Sequence, residues 1–168
     1  GDGGQATAAS LGGARRVRVA PNGETYIVDA NLRRIRKVDN NGVITRVVGG
    51  GQQVFSEGML ATDLTVAISD ITFDRNGEIF VALPQMIVKL NSSGRLNRVA
   101  GTGVSGNDGN GGQAINARFM NITQIAFGPD FGMYVVDQQA RVIRKIEPDG
   151  TINRYVGNGS GGGTGDGG

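Results

Sequence analysis

Short apolar runs rich in Val, Ile, Phe and Tyr recur along the chain, and Asn-Gly, Ser-Gly and Asp-Gly pairs break them. Runs of this kind bounded by turn residues predict strands. In the first third, strands are expected near 16–20, 25–29, 34–38 and 43–48. Tight turns fall at Asn22-Gly23 and Asn41-Gly42, because Asn and Gly enter positive φ at low cost. Asn76-Gly77, Ser93-Gly94 and Asp149-Gly150 occupy the same places further on. Runs such as Tyr26-Ile27-Val28 and Tyr134-Val135-Val136 are apolar at both parities. A sheet with one wet face would alternate, so both faces of these sheets are expected to be covered.

The pattern repeats. Val17–Asp29 returns as Ile71–Leu83 and again as Ile125–Asp137, each copy 54 residues after the last. A second block, Ile35–Gly49, returns as Ile87–Gly101 and Ile143–Gly157, and the middle copy is two residues shorter between the blocks. Each unit reads as four strands, and four-stranded units packed face to face make the blades of a β-propeller. The expected class is all-β: a β-propeller segment of three four-stranded antiparallel blades. Blade 1 spans about 1–51, blade 2 about 52–103 and blade 3 about 104–160. Residues 161–168 begin the next inter-blade loop.

Composition then narrows the chemistry. The 168 residues hold 30 Gly and no Cys, His or Trp. Disulfides, Cys/His zinc sites and His-based acyl-transfer machinery are excluded within this chain. Lys plus Arg is 17 against 15 Asp plus Glu, a net charge of +2, with only three of the cations Lys. So small an excess makes no demand for nucleic acid. No apolar run reaches the roughly 18 residues of a membrane span. The lack of Cys is compatible with a reducing compartment. A start without Met leads us to expect a processed product or a piece of something longer.

Gly1-Asp2-Gly3-Gly4-Gln5-Ala6-Thr7 followed by Leu11, a strand, and Ile35-Arg36-Lys37-Val38-Asp39 resembles the NHL-repeat β-propeller family. Gly111-Gly112-Gln113-Ala114 and Ile143-Arg144-Lys145-Ile146 carry the resemblance in the third unit, and it runs through essentially the whole chain. The family's Asn-His loop pair is replaced by Leu32-Arg33 and Ala140-Arg141. The middle unit has Leu83-Pro84-Gln85-Met86 there and a degenerate Ser56–Thr62 lead-in. The resemblance implies a six-bladed ring. Some members bind RNA through a basic face, and some propeller relatives are metal-dependent lactonases or lyases.

Candidate sites follow. Arg33, Arg34 and Arg141, with Asp29, Asp137 and Gln138, fall between the second and third strands and should share one rim. They form the expected binding set for a protein or peptide, while nucleic acid ranks well below because base-stacking aromatics are few. Asp29 and Asp137 are expected to accept local hydrogen bonds in their turns. Arg36-Lys37 and Arg144-Lys145 are expected to guard blade edges. Asp108, Asn110 and Asp166, spaced by Gly, are weak Ca²⁺ candidates without the bidentate Glu of an EF-hand. No catalytic residue, metal or cofactor is expected, because few carboxylates are predicted near the innermost strands.

Three blades expose two apolar faces, and no polar cap is visible at either end. Gly165-Asp166-Gly167-Gly168 repeats Gly1–Gly4, so the chain end reads into the chain start. The expectation is a non-catalytic scaffold for protein or peptide binding, closed into a ring by homodimerisation. The alternatives are an RNA-binding face, a piece of a larger propeller without independent function, and a lactonase or lyase relative.

Overall fold

A computed structural model describes residues 1–162. Twelve strands form three antiparallel sheets of four. Blade 1 holds β1 (Ala14–Val19), β2 (Thr25–Asp29), β3 (Arg34–Val38) and β4 (Ile44–Gly49). Blade 2 holds β5 (Asp70–Phe73), β6 (Ile79–Leu83), β7 (Met86–Leu90) and β8 (Leu96–Ala100). Blade 3 holds β9 (Ile122–Phe127), β10 (Met133–Asp137), β11 (Val142–Ile146) and β12 (Ile152–Val156). Strand order follows chain order within each sheet, as tight hairpins dictate. The strand expected at 16–20 lies at Ala14–Val19, because Ala20 leaves the ladder to close the turn onto Glu24.

The first strands β1, β5 and β9 lie side by side, and the fourth strands lie outermost. The lead-in loop before each blade runs along the edge of that blade's outermost strand. Gly3 N–H donates to Ile44 O, Gly58 N–H to Leu96 O and Gly111 N–H to Ile152 O. These loops, and not the Arg-Lys pairs, cover the outer edges. The recurrence of Gly at 49, 101 and 157, where each fourth strand ends, has a steric origin. Each sits at positive φ, and a Cβ there would fall within 2.4 Å of a carbonyl oxygen of the turn between the second and third strands. No L side chain fits such a position without strain.

The core lies between blades. Blades 1 and 2 bury Val28, Ile35, Val48, Ile71, Val81 and Leu96, with Tyr26 edge-on to Phe73 at 5.0 Å. Blades 2 and 3 bury Ala82, Ile87, Phe119, Ile125, Val135 and Ile152, with Phe80 edge-on to Phe127 at 5.0 Å. Each large aliphatic side chain so buried contributes about 1.5–3 kcal/mol. Two faces have no blade against them. That of blade 1 presents Val17 and Val19, 59% and 65% exposed, while that of blade 3 presents Tyr155 and Val156, 60% and 49% exposed. Blade 1 does carry a partial cover: residues 1–11 fold over the outer part of its free face and leave Ile44 only 1% exposed.

Candidate functional site

Arg33 and Arg141 occupy the same repeat position, in the turns between the second and third strands of blades 1 and 3. Both adopt positive φ, 48° and 56°, and both are exposed. The Arg33 guanidinium reaches across to Thr65 O at 3.2 Å and so also leans on blade 2. Gln138 is exposed in the same turn of blade 3, where its carbonyl accepts the Arg141 N–H. These three are the rim residues that solvent reaches most fully.

The remaining members of the expected set are drawn inward. Asp29 and Asp137 are fully buried. Asp29 Oδ1 accepts the N–H groups of Gly12 and Gly13 at 2.9 and 2.8 Å, and its Oδ2 takes Arg34 at 3.2 Å. Asp137 accepts Met120 N–H and Asn121 N–H at 3.1 and 2.8 Å. These donors come from the lead-in loops, 16 or 17 residues away, not from the local turn. A buried carboxylate holding backbone N–H groups anchors a loop. The middle unit has Leu83 at that position and no such anchor.

Arg36 and Arg144 also depart from expectation. They are 1% and 0% exposed. Arg36 donates to Asp2 Oδ1, Ser10 O and Gly1 O at 2.8–3.0 Å. Arg144 donates to Arg118 O and Asp108 O, both at 2.9 Å, and lies over the Phe119 ring. Burial holds the Arg144 guanidinium below its usual pKa, opposed by the Asp137 and Asp108 charges. A planar fork that binds several carbonyls at once is suited to clamping a loop. Blade 3 differs at one partner: Asn110 stands where blade 1 has Asp2, and among the described residues the buried Arg144 Nε has no acceptor. The neighbouring lysines pair with acids of their own blades. Lys37 pairs with Glu24 at 2.6 Å, Lys89 with Glu78 at 2.6 Å, and Lys145 with Asp130 and Glu147 at 2.8 Å. The Lys37 hydrogen bond is the main reason that the Glu24 carboxyl titrates below its usual range.

Asp108 is occupied as well. Its carboxylate pairs with the Arg118 guanidinium, with Arg118 Nε 3.0 Å from both oxygens, and that pairing lowers its pKa. Asn110 is exposed beside it, and Asp166 lies outside the described residues. Among the described residues no three His, Cys, Asp or Glu side chains cluster as metal ligands, and no helix is long and apolar enough to cross a membrane.

Sequence reasoning missed the most connected carboxylate. Asp70, on the innermost strand of blade 2, is fully buried. It accepts Arg18 of blade 1 on both oxygens at 3.1 Å and Ile125 N–H of blade 3 at 3.2 Å, with Arg16 Nε at 3.9 Å. One residue therefore joins all three inner strands. The repeat register held the signal: Asp70 stands where the first unit has Arg16, a charge reversal beside a core isoleucine.

Comparisons with known proteins agree with this architecture. Residues 1–83 match the family described as the teneurin NHL domain. The chain is 27% identical to zebrafish (Danio rerio) Teneurin-3 over 94% of its own length but 6% of that protein's. It thus spans about one-twentieth of that relative. Among solved structures it resembles an auxiliary nutrient binding protein from Bacteroides thetaiotaomicron, with a TM-score of 0.60 at 20% identity, over 89% of this chain and 37% of that one. It also resembles a virginiamycin B lyase from Staphylococcus aureus, with a TM-score of 0.59 at 15% identity, over 88% of this chain and 42% of that one. At such identities these structures speak to the fold alone. Three repeats in register, three antiparallel blades and these matches together support the NHL-repeat β-propeller family for this chain.

Proposed function

We propose that this chain is a non-catalytic NHL scaffold that binds a protein or peptide through its rim loops and closes a six-bladed ring by pairing with a second copy. The observation that carries the pairing is the equivalence of the two free faces. Val17 and Ile27 of blade 1 hold the repeat positions of Ile125 and Val135, which are 2% and 0% exposed against blade 2. On blade 3, Tyr134, Val136, Ile143 and Tyr155 hold the positions of Tyr26, Val28, Ile35 and Val47, which pack against blade 2. Each free face is one half of a blade–blade contact, and a second copy supplies the missing half twice over. The carboxylates nearest the inner strands and loops are already bound to arginines and backbone amides, which supports a binding role over acid–base chemistry.

Light scattering coupled to gel filtration tests the pairing. The expected result is twice the 17.4 kDa chain mass, returning to the single mass in Tyr155→Glu. A wild-type mass of one chain overturns the ring. Turnover of lactone or ester probes with added Ca²⁺ or Zn²⁺ overturns the non-catalytic reading.

A further inference from the structure

Two residues that break the repeat meet across blades 2 and 3. In the turn between the first two strands, blades 1 and 2 carry Gly23 and Gly77 at positive φ, and blade 3 carries Phe131 at φ 63°. A bulky side chain in that region is a genuine outlier. Phe131 is also 50% exposed rather than packed into the core. In the neighbouring turn, blade 2 has Arg75 where blades 1 and 3 have Pro21 and Pro129. The Arg75 guanidinium lies 4.1 Å from the Phe131 ring centroid.

The pair lines a cleft of about 540 Å³, together with the apolar Phe73, Phe127 and Pro129 and the polar Asp74 and Asn76. The nearby acids are committed elsewhere. Asp74 holds the N–H groups of Asn76 and Glu78, and Asp130 faces Lys145 and Tyr134. Among the described residues, Arg75 forms no ion pair. A guanidinium on an aromatic face, beside the Phe73, Phe127 and Pro129 wall of the cleft, is complementary to a carboxylate carried beside an apolar group. Backbone strain of this kind clusters at ligand clamps.

We infer that this cleft is a peptide-binding site, with Arg75 taking an Asp or Glu side chain and Phe131 closing over the adjoining aromatic residue. The inference rests on the peptide-binding reading above, but it needs no second copy, because both walls belong to one chain.

Amide chemical-shift titration of the full chain tests it, using the capped pentapeptide Gly-Phe-Glu-Phe-Gly and its Gln counterpart. The expected result is saturable shifts at the cleft turns, at least fivefold weaker for the Gln peptide, with that preference lost in Arg75→Gln. Phe131→Gly restores the residue used by the other blades. It should leave the melting temperature unchanged or higher while weakening the Glu peptide at least fivefold. A fall in melting temperature of more than about 5 °C in Phe131→Gly would make the pair an inter-blade staple and overturn the proposal. Equal binding of the two peptides, or a uridine oligonucleotide shifting the cleft when the peptides do not, also overturns it. Shifts confined to the turns of Arg33 and Arg141 overturn the cleft while leaving rim binding intact.

Discussion

Blades 1 and 3 turn the same surface in the same direction, and only one of them meets a neighbour. On blade 3 this face is covered by blade 2, and Ile125 is 2% exposed. On blade 1 the equivalent Val17 is 59% exposed. The side chains are alike and the ladders are alike. Exposure is therefore set by the absence of an adjoining blade and not by a polar rewriting of the surface. This uncovered face, which keeps its Val and Ile, is the surface that the proposed pairing would bury.

A charge separates the two situations most sharply. Val135→Asp places a carboxylate in the closed contact and should cost about 4 kcal/mol or more. Ile27→Asp makes the same change at the open position and should cost a single chain about 1 kcal/mol or less, while blocking assembly. Urea denaturation of dilute samples and light scattering measure the two effects. Equal destabilisation by both variants would show that the faces are not in different environments.

The inner strands give the next contrast. Asp70→Ala orphans Arg18 and the buried Ile125 N–H and should cost about 3 kcal/mol. Gln124→Ala, at the same repeat position but exposed on β9, should stay within about 0.5 kcal/mol of wild type. A small loss at Asp70 would mean that the three inner strands hold together by apolar packing alone.

Tyr26 and Tyr134 extend the comparison to pH. Burial, and then the Glu24 charge, pushes the Tyr26 hydroxyl up to about 12. Tyr134, half-buried on the open face, is also raised but less strongly, with burial again the first cause and Asp130 the second. In the unfolded chain Tyr26 ionises near 10, so above that pH the unfolded state has lost a proton that the folded state keeps. Stability is then full below about pH 10 and declines as pH climbs toward 12, by about 2–3 kcal/mol from Tyr26. Denaturation midpoints across pH 8–12 should fall accordingly, and Tyr26→Phe should flatten the decline. Assembly should raise Tyr134 toward Tyr26, visible as a later phenolate absorbance.

The smallest effect lies in the arginine clamps. Asn110→Asp gives the buried Arg144 Nε the acceptor that Asp2 gives Arg36 and should stabilise by about 1 kcal/mol. Asp2→Asn should cost about the same amount. Thermal melts of the pair read both signs, and no gain from Asn110→Asp would indicate that the blade 3 loop already satisfies Arg144 by another route.

Much of the fold was legible because it is local. Gly23, Gly42, Gly77, Gly94 and Gly150 each mark a turn whose φ is positive, and the strands follow from the runs between them. The clamps were not legible. Arg36 and Arg144 look like exposed strand cations until loops folded back from 26 to 36 residues away deliver carbonyl oxygens onto them. Asp29 and Asp137 deceived in the same way, because acidic residues beside turns are most often solvated. Phe131 stands at a repeat position that holds Gly23 and Gly77 in the other blades, a mismatch readable in the sequence. The rim arginines Arg33 and Arg141 were placed correctly by the repeat, since a turn displays its residues wherever the flanking strands go.

Asp70 gives the array a property that stacked repeats usually lack. In a one-dimensional array each interface has its own residues, and stability is nearly a sum of separate nearest-neighbour terms. Here the contact of blade 1 with blade 2 and the contact of blade 2 with blade 3 converge on one buried carboxylate. Loosening either contact withdraws a donor from the same two oxygens and weakens the hold on the other. The two interfaces are thermodynamically coupled, and substitutions made in both should depart from additivity. The three sheets are therefore expected to unfold as one cooperative unit, since losing any blade changes the bond that holds the others.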